Sequence, residues 1–229
     1  MTGDPRDVAE LVVVADEKLG AGGFLEVRRI RLRNRRRDGS LSPEYISDSI
    51  ARVAQDAVVV AVYARTARGI DVLVRDGLRP ALVFGRDPAR APLPEPPPSP
   101  FLTELVAGVL EPADRGEAGL RARAAAEVLE EAGFVVAPEA IALLGGNGLF
   151  PSPGCLVEKF YFACVEVDPA AQQPLAGDGS PMEEGARTRW LPLDDAIAAC
   201  VRGDITDLKT ELGLRRLRDQ LLSSEISGH

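Results

Sequence analysis

GVLEPADRGEAGLRARAAAEVLEEAGF, residues 108–134, is the stretch on which the reading of the chain turns. It passes from a glycine-bearing loop into an alanine-rich run that carries Glu127, Glu130 and Glu131 and stops on Gly133. Helical spacing puts these carboxylates at i, i+3 and i+4, on one face. Crowded together they repel at neutral pH, and a purely structural helix gains nothing from that. A divalent cation relieves the repulsion, because magnesium and manganese take hard oxygen ligands. A solvated acidic face gives the same local pattern, and the helix alone does not separate the two. Gly133 reads as a helix C-cap, and the apolar Phe134-Val135-Val136 beyond it as a strand.

Outward from this stretch, composition bounds the function. The chain has 229 residues, enough for one large domain or a domain with an appendage. A net charge of −8 disfavours a non-specific nucleic-acid binder, which would be basic. No stretch reaches the length of a membrane span, and the short apolar run in MTGDPRDVAELVVVADEK, without a basic lead, does not read as a secretory leader. Cys155, Cys164 and Cys200 match neither a zinc site nor a disulfide framework, which suggests a reducing compartment and a cytoplasmic location. The single histidine is His229, so acid–base work falls to carboxylates.

In chain order, residues 24–33, FLEVRRIRLR, alternate apolar and basic side chains as a half-exposed strand does, with a turn over Asn34–Gly39. Their arginines read as a solvent face or as a phosphate-binding patch. Residues 45–56 are open between helix and strand. The β-branched run AVVVAVYA, 57–64, predicts a strand buried on both faces. IDVLVR, 70–75, and RPALVF, 79–84, predict two more strands of a meander. Prolines make 85–99, GRDPARAPLPEPPPS, a loop inserted within the domain. IALLGG predicts a short strand, and residues 147–167 a turn running into a strand that begins at Glu158. Residues 168–186 are loop-like and end in Glu183-Glu184; RTRWLPL, 187–193, is a strand. Helices are predicted at 194–202, with Asp194 as N-cap and Gly203 as C-cap, and at 207–222.

The acidic stretch resembles the Nudix box, G-x5-E-x7-R-E-U-x-E-E-x-G-U. Glu127, Val128, Glu130, Glu131, Gly133 and Phe134 match its second half, and Gly108 and Glu117 resemble its opening glycine and first glutamate. The loop between Gly108 and Glu117 is longer than the pattern, the Glu117–Glu127 interval is one residue longer, and Ala126 stands where the family has arginine. Arg123, one turn earlier on the same face, is a candidate stand-in. Further segments resemble the ADP-ribose and nucleotide-sugar pyrophosphatase branch: VRDGLRPAL, with Arg79 at that branch's arginine; FLTELVAG, with Glu104 and Ala107 at its glutamate and alanine and Glu111 at a further acidic position; SPGCLVE, with Ser152 and Gly154 in a tight loop; and ITDLKTELGLRRL.

The resemblance implies an α/β fold, a Nudix α/β/α sandwich with a mixed sheet, over residues 45–229. It implies an N-terminal β-subdomain over residues 1–44 that forms a homodimer. The implied activity is Mg²⁺- or Mn²⁺-dependent hydrolysis of a nucleoside diphosphate sugar such as ADP-ribose. Glu127, Glu130, Glu131 and the Ala107 carbonyl would ligate metal. Glu127, Glu131 and a loop carboxylate, Glu183 or Glu184, would carry the chemistry. Arg79, Glu104, Ser152 and Gly154 would contact substrate. The alternative is a Nudix-fold protein that binds a nucleotide without hydrolysing it.

Overall fold

The computed structural model describes residues 8–19, 24–175 and 179–227, and the chain within it divides into two compact units. His229 lies outside the described residues, as do parts of the 1–44 extension and of the 168–186 loop.

The first unit comprises residues 1–55 and 150–158. Its described part is an antiparallel sheet of β1 (Val8–Leu19), β2 (Glu26–Arg36) and β3 (Tyr45–Ala51), in that order. Of residues 45–56, open between helix and strand, 45–51 are strand and 52–56 are neither. β2 outruns its expected end, and the chain turns instead around Gly39, whose φ of 86° suits glycine. The basic residues of β2 pair with acids on its neighbours: Arg28 with Asp16, Arg29 with Asp48, Arg31 with Glu44, Arg35 with Glu10. That consumes the arginine run as a solvent face. The boundary expected after residue 44 falls at 55, because β3 completes this sheet and residues 150–158 join it through Ile50 N–H to the Cys155 carbonyl (2.7 Å).

The second unit, residues 56–149 and 159–229, is an α/β/α sandwich. Its mixed sheet runs β10 (Arg187–Pro192), β5 (Gly69–Leu78), β4 (Ala57–Thr66), β9 (Phe160–Glu166), β8 (Ala142–Leu143), with β6 (Phe101–Glu104) on β5 and β7 (Val106–Val109) on β4. β4 and β9 are parallel and the other pairs antiparallel. The central β4 is buried from Ala57 to Ala64, as its continuous apolar run requires. Alternation splits it: Val58, Val60 and Val62 face α2 (Gly116–Ala132), while Val59, Ala61 and Tyr63 face α3 (Leu193–Arg202) and α4 (Leu208–Ser227). No helix among the described residues is long and apolar enough to cross a membrane.

Several local expectations are corrected. RPALVF is not a strand: β5 stops at Leu78, the Arg79 N–H turns to the Pro100 carbonyl, and Pro80 starts a one-turn helix, α1 (Ala81–Phe84). Proline lacks the ladder donor and its fixed φ suits a helix start. β6, beyond the proline-rich loop, pairs with β5 instead. Beyond Gly133 there is no strand: Phe134 is buried as a plug under α2, Val135 is 71% exposed, and the chain enters a 3₁₀ turn at Pro138–Ala140. The N-cap of α3 is Pro192, with Asp194 and Asp195 in the first turn, where they complement the helix dipole. Asp207 caps the next helix, accepting from Thr210 N–H at 3.0 Å. β9 begins at Phe160, two residues after Glu158.

Gly133 ends α2 at φ 75°, its N–H donating to the Leu129 carbonyl at 3.1 Å. A Cβ there would overlap the Gln173 carbonyl oxygen. Gly133→Ala therefore combines left-handed strain of about 1–2 kcal/mol with a backbone clash. A stability loss of about 2 kcal/mol or more is expected in urea unfolding; an unchanged midpoint would contradict this account of the cap.

Candidate active site

The site lies in the second unit, where α2 passes over the edge of β7. Leu120, Ala124, Ala125, Val128 and Ala132 turn into the sheet and fix the rotation of the helix. That rotation leaves Glu131 buried and Glu127 and Glu130 half-buried. Small residues on β7 allow the close approach. The Ala107 N–H donates to Glu131 Oε2 at 3.0 Å, and a Cβ built on Gly108 would overlap the Glu127 carboxyl group. Gly108 is thus glycine because a carboxylate occupies the place of its side chain.

A residue not singled out from the sequence completes the cluster. Arg75, on β5, is buried and its Nη1 binds Glu131 Oε1. Its Nη2 lies 3.9 Å from Glu183 Oε1, and its Nε has no hydrogen-bond partner. Arg75 lies two residues after Leu73, which faces α2, so strand alternation places it under the same helix. That was the available signal: a charged residue in phase with the buried side of an apolar strand.

Glu183 ends a 3₁₀ turn, Pro181–Glu183, that Ser180 caps by accepting from the Met182 N–H at 3.2 Å. Glu183 and Glu184 line a cleft of about 380 Å³ together with Arg75, Glu130, Glu131 and Ser180. Both loop carboxylates therefore share a cleft wall with the helix. Arg123 donates from Nε to Asp114 Oδ2 at 2.9 Å, and its Nη1 is 3.9 Å from Glu127 Oε1. The candidate stand-in faces Glu127 but is anchored on Asp114, which also accepts from the Glu111 N–H at 2.9 Å and so fixes the preceding loop. Glu117 is apart from the cluster, its side chain 78% exposed and 3.8 Å from Arg121.

Arg79 and Glu104 are brought together, but as a pair. Arg79 Nη2 binds Glu104 Oε1, and Lys209 Nζ donates to Glu104 Oε2 at 2.7 Å. The Glu104 side chain is buried with both oxygens engaged, so it holds Arg79 rather than facing a ligand. Ser152 and Gly154 belong to the first unit, where the Ser152 carbonyl accepts from the Leu156 N–H at 2.8 Å.

The electrostatics follow from burial and crowding. Burial, then the charges of Glu131 and Glu130, push the Glu127 carboxyl up to about 7 against the pull of Arg123. Burial also pushes Glu131 up to about 7, opposed by Arg75 and the Ala107 N–H. Among the described residues no three acidic, cysteine or histidine side chains are already drawn to metal-ligand spacing. The donor chemistry nevertheless fits a divalent cation: neighbouring oxygen ligands, one of them, Glu127, half-buried and raised by burial and then by its neighbours' charge.

The raised group has a measurable consequence without metal. From about 4.5, where Glu127 ionises in the unfolded chain, to about 7, the native state binds more protons, so stability falls as pH rises. Glu127→Gln lacks this penalty. Its stability relative to the parent should climb between pH 5 and pH 8 in EDTA by as much as about 3 kcal/mol. A gap that stays constant in urea unfolding would refute the raised carboxyl.

No family model matches the sequence, and no curated protein matches it. Solved structures do match. An ADP compounds hydrolase superposes with a TM-score of 0.67 at 12% identity, over 96% of this chain and 98% of the other. The NUDIX domain of Shewanella oneidensis NrtR, complexed with ADP ribose, matches at TM-score 0.47 and 14% identity, over 74% of this chain and 90% of the other. A C. elegans Ap4A hydrolase matches at 0.43 and 18%, over 73% and 98%.

Proposed function

We propose, from the Nudix fold that this chain carries, that it is a metal-dependent hydrolase of nucleoside diphosphate sugars such as ADP-ribose. The observation that carries the reading is the convergence of Glu130 and Glu131 with the Glu183-Glu184 loop on one cleft, with Glu127 one turn before Glu131 on the same helix. Glu127, Glu130 and Glu131 would hold Mg²⁺ or Mn²⁺, with Ala107 beside them on β7. The ion would supply charge to neutralise the pyrophosphate and would lower the pKa of the attacking water. Glu183 or Glu184 accepts that water's proton as its oxygen bonds to phosphorus and the bridging P–O bond breaks. Nucleoside monophosphate and sugar phosphate leave. Arg79, held by Glu104 and by the Leu78 carbonyl, would present the exposed part of its guanidinium charge to phosphate or base.

The second reading, a nucleotide binder without hydrolysis, is favoured by the Arg75–Glu131 pair, which engages a box carboxylate, and by Ala126. Turnover of a nucleotide-sugar panel in Mg²⁺, lost in EDTA, supports the hydrolase. Binding of the same panel without turnover supports the binder. The first unit is proposed as a homodimer contact in a cytoplasmic protein, on the exposure of Val13, Phe24 and Ile46 around its sheet. Light scattering at micromolar concentration should give twice the chain mass of 24.4 kDa; a monomer refutes it.

A further inference from the structure

We infer that Arg75 is a positioning residue of this site, clamping Glu131 of the acidic helix and Glu183 of the loop to one wall of the cleft. The inference rests on the hydrolase reading and adds a residue to it. Three observations carry it. First, Arg75 is 4% exposed, so its charge is sustained by partners and not by water. Secondly, those partners come from separate elements: Nη1 on Glu131 of α2, and Nη2 3.9 Å from Glu183 in the 3₁₀ turn. Thirdly, the remaining donor, Nε, is buried without a partner. An arginine kept only to fill the core leaves that cost unexplained. It is accounted for where the two outer nitrogens must reach two fixed carboxylates.

The geometry also says why arginine stands here. A planar fork addresses two acceptors at fixed angles, whereas an ammonium is a point charge on a flexible stem. Glu131 is held on its other side by the Ala107 N–H, so together strand β5 and strand β7 fix both of its oxygens. The helix lacks a cation at Ala126, and Arg123 spends its closest contact on Asp114. Orientation of the last box carboxylate therefore comes from the sheet and not from the helix itself.

The test is Arg75→Lys, which keeps the charge and removes the fork. Groups that orient ligands in this way are worth about 10–100-fold in activity or metal affinity. Arg75→Lys should lower kcat by about tenfold or more with KM within about threefold, and loosen Mn²⁺, followed by electron paramagnetic resonance without substrate, by about tenfold. Parent kcat and Mn²⁺ affinity with only a lowered Tm would overturn the inference and leave the hydrolase reading standing. A parent that turns over nothing, but binds Mn²⁺ that Arg75→Lys loosens, would sink the hydrolase reading and support the clamp. Should Arg75→Lys not fold, the double variant Arg75→Leu/Glu131→Gln removes the buried pair as a unit. It should bind Mn²⁺ as Glu131→Gln does, since Arg75 then has no box carboxylate to hold; a further tenfold loss would overturn the clamp.

Discussion

Glu131→Gln should lower kcat by about a hundredfold or more, the scale of a lost charge-stabilising group at a preorganised site. The variant keeps shape and hydrogen-bonding capacity and removes one charge. It should also be less stable. Arg75 would be left buried without its anion, and breaking such a pair costs about 3–5 kcal/mol. Turnover must therefore be read on the folded fraction, at a temperature set by the variant's own Tm. Glu117→Gln is the control. Glu117 resembles the opening glutamate of the box but is exposed and apart from the cluster, so its replacement should leave kcat within about threefold. Parent-like turnover in folded Glu131→Gln would take the acidic helix out of the mechanism.

Gly108→Ala should separate function from folding. The new methyl group would occupy the space of the Glu127 carboxyl, and the three atoms nearest to it, Cδ, Oε1 and Cγ, all belong to that one flexible side chain. Glu127 can swing aside, so the backbone need not move. The expected result is a drop in kcat of about tenfold to a hundredfold, the cost of displacing a reacting or ligating group by about 1 Å. Tm should fall by only a few degrees. Collapse of the fold, or full activity, would each refute the placement of Glu127 against β7.

Legibility from the sequence followed the range of the interactions. AVVVAVYA announced a strand buried on both faces because each of its residues is apolar, and β4 is that strand. The acidic helix and its glycine stop were equally local: spacing set the shared face and Gly133 the end. RPALVF failed because two signals competed, and the missing N–H of Pro80 outweighed the apolar run. The strand read into Phe134-Val135-Val136 failed because Phe134 fills a place in the core under α2, Val135 faces solvent, and Pro138 opens a 3₁₀ turn two residues after Val136. Arg75 and Asp114 were invisible for a different reason. Their meaning lies in partners on other elements, Glu131 56 residues from Arg75 and, for the loop residue Asp114, Arg123 on the helix that follows it. The substrate role read for Glu104 missed Lys209, 105 residues later, which helps bury it.

The contribution of residues 150–158 to the first unit bears on how the protein is made. Strands β1, β2 and β3 are consecutive and leave the ribosome ahead of residues 150–158, so they can pair as they emerge. The partners of Ile50 and Arg52, Cys155 and Glu158, are translated about a hundred residues later. At about 5–20 residues per second, the nascent sheet waits roughly 5–20 s for the segment that completes it. Through that interval the backbone N–H of Ile50 has no Cys155 carbonyl to meet, and the edge of β3 is open to a wrong partner. β3 carries one charge of its own, Asp48, and a charge on an edge strand disfavours pairing with another nascent chain.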